Sequence, residues 1–281
     1  MAEASEPVSE EPSKKRRMNP FLAAFLPNQA VSGNTLRVII LVQVLAALAI
    51  WIASPFEVLP TPMQVWEAFK EMWRHQGLAD ELWVSYRLVL HALLLTVVIS
   101  ILLSYLTVMA FFRPIAQAIS KMRYLSLVGF SFVFTLMGAG GYYLKLYLMV
   151  FGMTVFFVTS MAAVVAAIPK EQFDHARTLR MGEWRVVWEV VIVGTADQAF
   201  EAMRQNAAIG WLMLTMVEGI SRAEGGLGAM LLNTQKYFRM DAIYAIQIVI
   251  LLVALFQDYI IGVIRKICCP YADLTLERQG A

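Results

Sequence analysis

Polar side chains that interrupt long apolar segments are the residues of this sequence best placed to do chemistry. Ser131 and Thr135 lie in one such segment, and Asn206, Gly210 and Glu218 lie in or at the end of another. Hydroxyl, amide and carboxyl groups inside a bilayer can line a path for a polar solute, or they can bond to their own or a neighbouring helix. Both interpretations remain open here, and both require helices that cross a membrane.

A second chemical signal is a charged stretch, PKEQFDHARTLRMGEWRVVWE, which occupies 169–189 between two apolar segments. Phe173, Ala176 and Leu179 fall on one helical face, Gly182 allows a break, and apolar residues then recur at helical spacing from Trp184. Two short helices joined at a glycine predict a projection that docks in a groove of a soluble partner. A surface helix-turn-helix without a partner fits the pattern equally well.

Two other kinds of site are not expected. His75, His91 and His175 are too dispersed to form a ligand cluster, so we predict no metal or catalytic site. The glycines of AEGGLGAM lack the lysine and the preceding strand of a phosphate loop, so the chain has no visible nucleotide site. These glycines predict a tight outer turn: Gly225, Gly226 and Gly228. The turn could contact a binding protein, and a purely structural turn fits the pattern equally well.

The composition is that of a membrane protein. Hydrophobic residues make up 59% of the 281 residues, charged residues 16%, and the mean hydropathy is +0.62. A net charge of +2 gives no indication of nucleic-acid binding. The only two cysteines, Cys268 and Cys269, are adjacent and imply no disulfide framework.

Six segments approach or exceed the roughly 20 apolar residues that a helix needs to cross a bilayer. The sequence therefore predicts an all-α, polytopic membrane protein, with a transmembrane domain at 36–267 between an N-terminal tail (1–35) and a C-terminal tail (268–281). The six predicted spans are 36–53, 87–110, 122–138, 143–167, 201–220 and 242–264. Lysine and arginine are concentrated on one side, which places both termini and the 168–195 loop in the cytoplasm.

The loop resembles the cytoplasmic loop of ATP-binding-cassette importer permeases, whose pattern is roughly Glu-Ala-Ala, three residues, Gly, then Ile-x-Leu-Pro. Asp174, His175 and Ala176 occupy the first three places, RTL follows, and VVIV stands at the later ones. Four features downstream of the loop are similar to the nitrate/sulfonate/taurine branch: AIGWLMLTMVEG, GGLGAML, Asp258 and CCPY. The resemblance covers about 84–271.

This sequence departs from the family pattern in three places. Arg180 replaces the loop glycine, with Gly182 two residues later, and Val193 replaces the proline. The third predicted span lacks the prolines usual there. A divergent member, or one half of a heterodimer, accounts for these differences.

The resemblance implies a type I importer subunit of a bacterial-type plasma membrane, which moves a small, anionic solute by alternating access. Two permease subunits, two ATPase subunits and an external solute-binding protein would assemble. ATP and Mg would bind the ATPase, leaving this chain without a cofactor or enzymatic activity. The solute-binding protein would rest on the glycine turn, and the polar span residues would line the path. The coupling residues that contact the ATPase would be Phe173, Asp174, His175, Ala176, Arg177, Leu179, Arg180 and Gly182.

Two other classes of protein fit the sequence. A self-sufficient secondary transporter or channel predicts inverted repeats, discontinuous helices or charge pairs within the membrane. A membrane scaffold without transport activity would tolerate a divergent loop.

Overall fold

Every regular element in the computed structural model is helical within the residues that the structure describes, 33–53 and 59–270. The predicted tail residues 1–32 and 271–281 lie outside this range. Two 3-10 turns (Met122–Tyr124, Arg222–Glu224) and one π-helix (Val187–Val193) accompany the α-helices. The α-helices are α1 (Gly33–Ile52), α2 (Pro62–His75), α3 (Leu78–Leu106), α4 (Arg113–Lys121), α5 (Leu127–Leu136), α6 (Gly141–Ala166), α7 (Lys170–Thr178), α8 (Glu183–Val186), α9 (Ala196–Ile220), α10 (Leu227–Lys236) and α11 (Met240–Cys268).

Four of these helices are long and apolar enough to cross a bilayer. They are α1, α3, α6 and α11, with 20, 29, 26 and 29 residues. Each overlaps a predicted span, although α3 begins nine residues before the span predicted at 87–110. The structure thus agrees with a polytopic, all-α membrane protein.

The other two predicted spans look different in the structure. The segment predicted as 122–138 contains a 3-10 turn, extended backbone at Leu125 and Ser126, and then α5, which is only about 15 Å long. α9 has 25 residues, but it carries Asp197, Glu201 and Arg204 in its first three turns. Six crossings therefore stay a prediction.

The core of residues 62–270 is formed by α3, α6 and α9. Phe157 and Met161 of α6 are buried against Ala199 and Ala202 of α9. The small alanine side chains let the two backbones approach, which is how helices pack when lipid offers no hydrophobic incentive to associate.

α2 is amphipathic and covers α11. Val65, Ala68 and Met72 recur at helical spacing and are buried, whereas Trp66 and Trp73 on the other face are exposed. α1 belongs to a separate unit, in which the Trp51 indole N–H donates to the Pro60 carbonyl at 3.0 Å.

The helices of residues 62–270 define two ends. The C-termini of α3, α6 and α11 meet the N-terminus of α9 at one end, and the segment from α7 to the π-helix lies there (the loop end). The N-termini of α3 and α6 meet the C-terminus of α9 and the glycine turn at the other (the turn end).

Candidate functional site

The loop end displays a short, charged helix that begins at a proline. Pro169 has an extended conformation (φ −63°, ψ 141°), and Glu171 in the first turn of α7 suits the positive end of the helix dipole. Arg177 bonds to Glu183 of α8 at 3.1 Å and lies 3.5 Å from Asp174. The bond to Glu183 raises the pKa of Arg177. These groups are exposed, so they orient α7 and α8 while adding little stability.

α7 ends in a Schellman motif with arginine where glycine is usual. Arg180 has φ +57°, in the left-handed region. Its N–H donates to the Arg177 carbonyl at 2.9 Å, and the Met181 N–H donates to the Ala176 carbonyl at 3.4 Å. The predicted break at Gly182 is therefore displaced: the chain reverses at Arg180, and Gly182 is extended (φ −66°, ψ 151°). Arg180 thus adopts a conformation that glycine favours.

The apolar residues of α7 do not form one docking face. Ala176 is buried, Phe173 is half-buried, and Leu179 is 59% exposed. Ala176 shares a shallow cavity with Val190 of the π-helix, so it packs within its own chain. Leu179, together with Trp184 at 75% exposure, is accessible to a partner.

The loop continues into a π-helix, Val187–Val193, where the Gly194 N–H bonds to the Glu189 carbonyl five residues earlier, at 3.0 Å. The Tyr105 hydroxyl contacts Thr195 Oγ1 at 3.4 Å and so ties the loop to α3. π-helices are rare and are often found at functional sites. Val193, which stands at the place of the family's proline, lies within this element.

The turn end contains a buried carboxylate, Glu218, which has no exposed surface. Its two oxygens accept from the Ser85 hydroxyl (2.6 Å) and from the Gly228 N–H (2.6 Å). Ser85 in turn accepts from the Leu227 N–H at 2.8 Å. The structure thus brings together two groups that the sequence assigned to separate roles, the path residue Glu218 and the glycine turn.

Two more charged side chains complete this network. Lys145 of α6 is 1% exposed, and its ammonium donates to the Gly225 carbonyl at 2.7 Å. Glu81 of α3 accepts from the Gly226 N–H. The turn is therefore held by α3, α6 and α9 at once.

Glycine is required at two positions of this turn. Gly226 has φ +109°, and a Cβ there would collide with the Glu218 carboxylate. A Cβ on Gly228 would lie 2.6 Å from the Thr215 Cα on α9. Close approach of the turn to α9 explains both glycines, and a contact with a binding protein stays a prediction.

The other predicted path residues make different contacts. Ser131 and Thr135 donate to carbonyls of their own helix at 2.6 and 2.7 Å. Gly210 is buried against Met153 of α6, at 3.0 Å from where its Cβ would be. Asn206 is buried, and neither polar atom of its side chain has a partner among the described residues. Other buried hydroxyls without a partner in this part of the chain are those of Thr96, Ser100, Ser104 and Thr154.

Sequence reasoning missed the partners of Glu218 and an ion-pair network between α9 and α11. For the network around Glu218, the sequence signal was a lysine, Lys145, inside an apolar segment. Arg265 contacts both Asp197 (2.5 Å) and Glu201 (3.1 Å) across this helix pair. In sequence these groups resemble ordinary flanking charges.

No known family model matches this chain, and no curated protein matches it significantly. Within residues 33–53 and 59–270, no group of three or more metal-ligating side chains is placed to hold an ion.

Proposed function

We propose that this chain is a membrane-spanning permease subunit of an ATP-driven importer, with ATP hydrolysis on a separate partner. One observation carries the proposal. Arg180 has a left-handed backbone at the place where the resembling family has glycine, four residues after Ala176 of the Asp174-His175-Ala176 pattern. Glycine is the residue that most readily adopts a left-handed backbone, so a left-handed residue at this place supports the match between the two loops.

α7 is the coupling helix in this proposal. It is short and is joined to α8 by the Arg177–Glu183 pair. It presents Leu179 to the solvent just before the chain reverses at Arg180. Closure of an ATPase dimer beneath two such loops would draw them together, and packing of α7 on the π-helix would transmit the movement to α9. Six spans, cytoplasmic termini, a second permease subunit and an external binding protein belong to the same proposal.

The experiment compares substitutions at the exposed and the buried positions of α7. Leu179→Glu places a charge where Leu179 would enter the ATPase cleft, and we expect loss of the copurifying ATPase or of solute-stimulated ATP turnover. Leu179→Met keeps the apolar surface and should retain both. Ala176→Glu is a poorer probe, because Ala176 is buried within its own chain and its replacement disturbs the loop itself.

Two outcomes would refute the proposal. One is that no ATPase copurifies with the unmodified full-length protein from its native membrane. The other is that Leu179→Glu retains the ATPase with unchanged coupling, which would mean that the loop is a surface turn without a partner.

A secondary transporter is the second candidate, and two observations favour it. The chain between α3 and α6 is a broken path through α4 and α5, and Arg204 of α9 pairs with Asp258 of α11. Discontinuous helices, and charge pairs between helices within the membrane, are features of that class.

A further inference from the structure

A cavity of about 890 Å³ opens at the loop end between α4 and α6. One wall is apolar and is formed by Ala162, Val165 and Ala166 at the end of α6. The opposite wall is formed by α4 and the 3-10 turn that follows it. We call it the basic cavity, after the side chains that this second wall contributes: Arg113, Lys121 and Arg123.

No carboxylate of residues 33–53 or 59–270 neutralises these three cations. Arg113 donates to the Thr107 carbonyl at 3.0 Å, and Arg123 lies over the Tyr124 ring. In the described part of the chain, no carboxylate lies within 4 Å of any of the three, and all are exposed. The one acidic residue of the lining, Glu183, is already bonded to Arg177. The cavity thus holds a surplus of positive charge.

The cavity lies where a bilayer would change from hydrocarbon to headgroups. It extends along α6, a candidate span, from its last residue Ala166 back to Thr159, about 10 Å at the rise of an α-helix. Apolar side chains on and around α4 are exposed next to it: Phe111 (76%), Ile115 (41%) and Met122 (38%). Cations beside exposed apolar side chains are typical of helices in the membrane interface.

We propose that the basic cavity binds the phosphate headgroup of an anionic phospholipid. The three cations contact the phosphate, and the acyl chains extend over the apolar wall and the exposed side chains of α4. A lipid uses both walls, whereas a free phosphate ion uses only the charged one. Basic pockets between membrane helices recognise anionic headgroups in this way. The proposal does not depend on the importer function, because it needs only a membrane and this cavity.

The test uses the full-length protein in neutral detergent, with lipid binding measured by native mass spectrometry. Phosphatidylglycerol is the probe, and phosphatidylcholine is the neutral lipid for comparison. The variant carries Arg113→Gln, Lys121→Gln and Arg123→Gln. The matched control carries Lys70→Gln, Arg74→Gln and Lys236→Gln, which remove the same charge from exposed positions outside the cavity.

We expect the unmodified protein to prefer phosphatidylglycerol. The cavity variant should bind it about 100-fold more weakly, because each of the three basic side chains contributes about fivefold. The control should bind as the unmodified protein does. If the triple variant fails to fold, Lys121→Gln alone replaces it, because this side chain makes no contact that the fold requires. That single variant should weaken binding about fivefold.

Three results would overturn the proposal. Equal binding of the two lipids would exclude headgroup selection. Equal loss in the control would reduce the effect to overall charge. Inorganic phosphate that binds at the cavity as tightly as the lipid, and displaces it, would identify a free anion as the ligand.

Discussion

Arg204 of α9 donates two hydrogen bonds to the carboxylate of Asp258 on α11, at 2.9 and 2.8 Å. Arg204 also contacts Glu201, which in turn contacts Arg265, so the pair is part of a network that holds the two helices together at the loop end. The side chains of Arg204 and Asp258 are 31% and 42% exposed. A paired guanidinium fork orients helices well, but exposure limits its energetic contribution.

We predict that Asp258→Asn lowers the free energy of unfolding by about 0.5–1 kcal/mol. The stability of Arg204→Lys should lie between that of the unmodified protein and that of Asp258→Asn, because lysine keeps the positive charge but cannot donate two parallel hydrogen bonds to the carboxylate. Thermal unfolding of the solubilised protein measures these variants, and a cycle of Arg204→Gln, Asp258→Asn and their double variant gives the coupling between the two side chains.

Asp258→Asn also discriminates between an importer subunit and a secondary transporter. ATP-driven transport should continue in Asp258→Asn, because the pair is structural in an importer. Loss of transport with the fold intact would favour the secondary transporter.

A second prediction concerns Arg180→Gly. The left-handed conformation costs a non-glycine residue about 1–2 kcal/mol, and glycine adds about 0.5–1 kcal/mol of backbone entropy to folding. We therefore expect α7 to gain roughly 0.5–1 kcal/mol. Hydrogen exchange at the Met181 amide, which bonds to Ala176, should slow about twofold to fivefold.

Gly182→Ala is the matched control for this prediction. Gly182 has an ordinary negative φ and no atom within 4 Å of where its Cβ would be. Alanine there should leave exchange at Met181 nearly unchanged. If Gly182→Ala destabilised α7 and Arg180→Gly did not stabilise it, the reversal would be at Gly182 after all.

A third prediction concerns Glu218→Ala. The change leaves the Ser85 hydroxyl and the Gly228 N–H without their acceptor inside the protein, so we expect a loss of about 2–4 kcal/mol in the free energy of unfolding. Glu224→Ala, at an exposed position of the same end, should cost less than about 0.5 kcal/mol. Denaturation of both variants in the same detergent is the measurement. A stable Glu218→Ala protein that transports poorly would instead make Glu218 a path residue.

A fourth prediction is that stability depends on pH through an ion pair on the exposed face of α2. Glu71 bonds to Arg239 at 3.0 Å, and this bond and the charge of Arg239 lower the pKa of the Glu71 carboxyl. The Glu71–Arg239 pair therefore stabilises the folded protein fully above the ordinary pKa of 4.5. This stabilisation is lost as the pH falls through the lower pKa that Glu71 has in the folded protein.

Glu71→Gln should consequently melt below the unmodified protein at pH 7, and the difference should shrink as the pH falls below 4.5. Glu67→Gln, at an exposed position of the same helix, is the control and should show no such trend. A difference that stayed constant across this pH range would mean that the ion pair is not formed.

Local patterns were sufficient to predict much of the helical structure. Runs of apolar residues predicted the four helices that can cross a bilayer. The same reasoning did not foresee the interruption at Leu125 and Ser126 within a continuous apolar run. Composition shows that a segment prefers lipid, but the backbone path through it depends on what packs beside it.

The contacts of the functional residues depended on packing between distant parts of the chain. Glu218 meets Ser85 across 133 positions, and Lys145 meets Gly225 across 80. A carboxylate or an ammonium has the same appearance in sequence whether it lines a path or bonds to a turn. In the loop, the sequence pattern predicted one feature correctly and missed another. The pattern predicted a helix and a reversal, whereas the residue that reverses is Arg180, because the Schellman hydrogen bonds stabilise a conformation that its side chain disfavours.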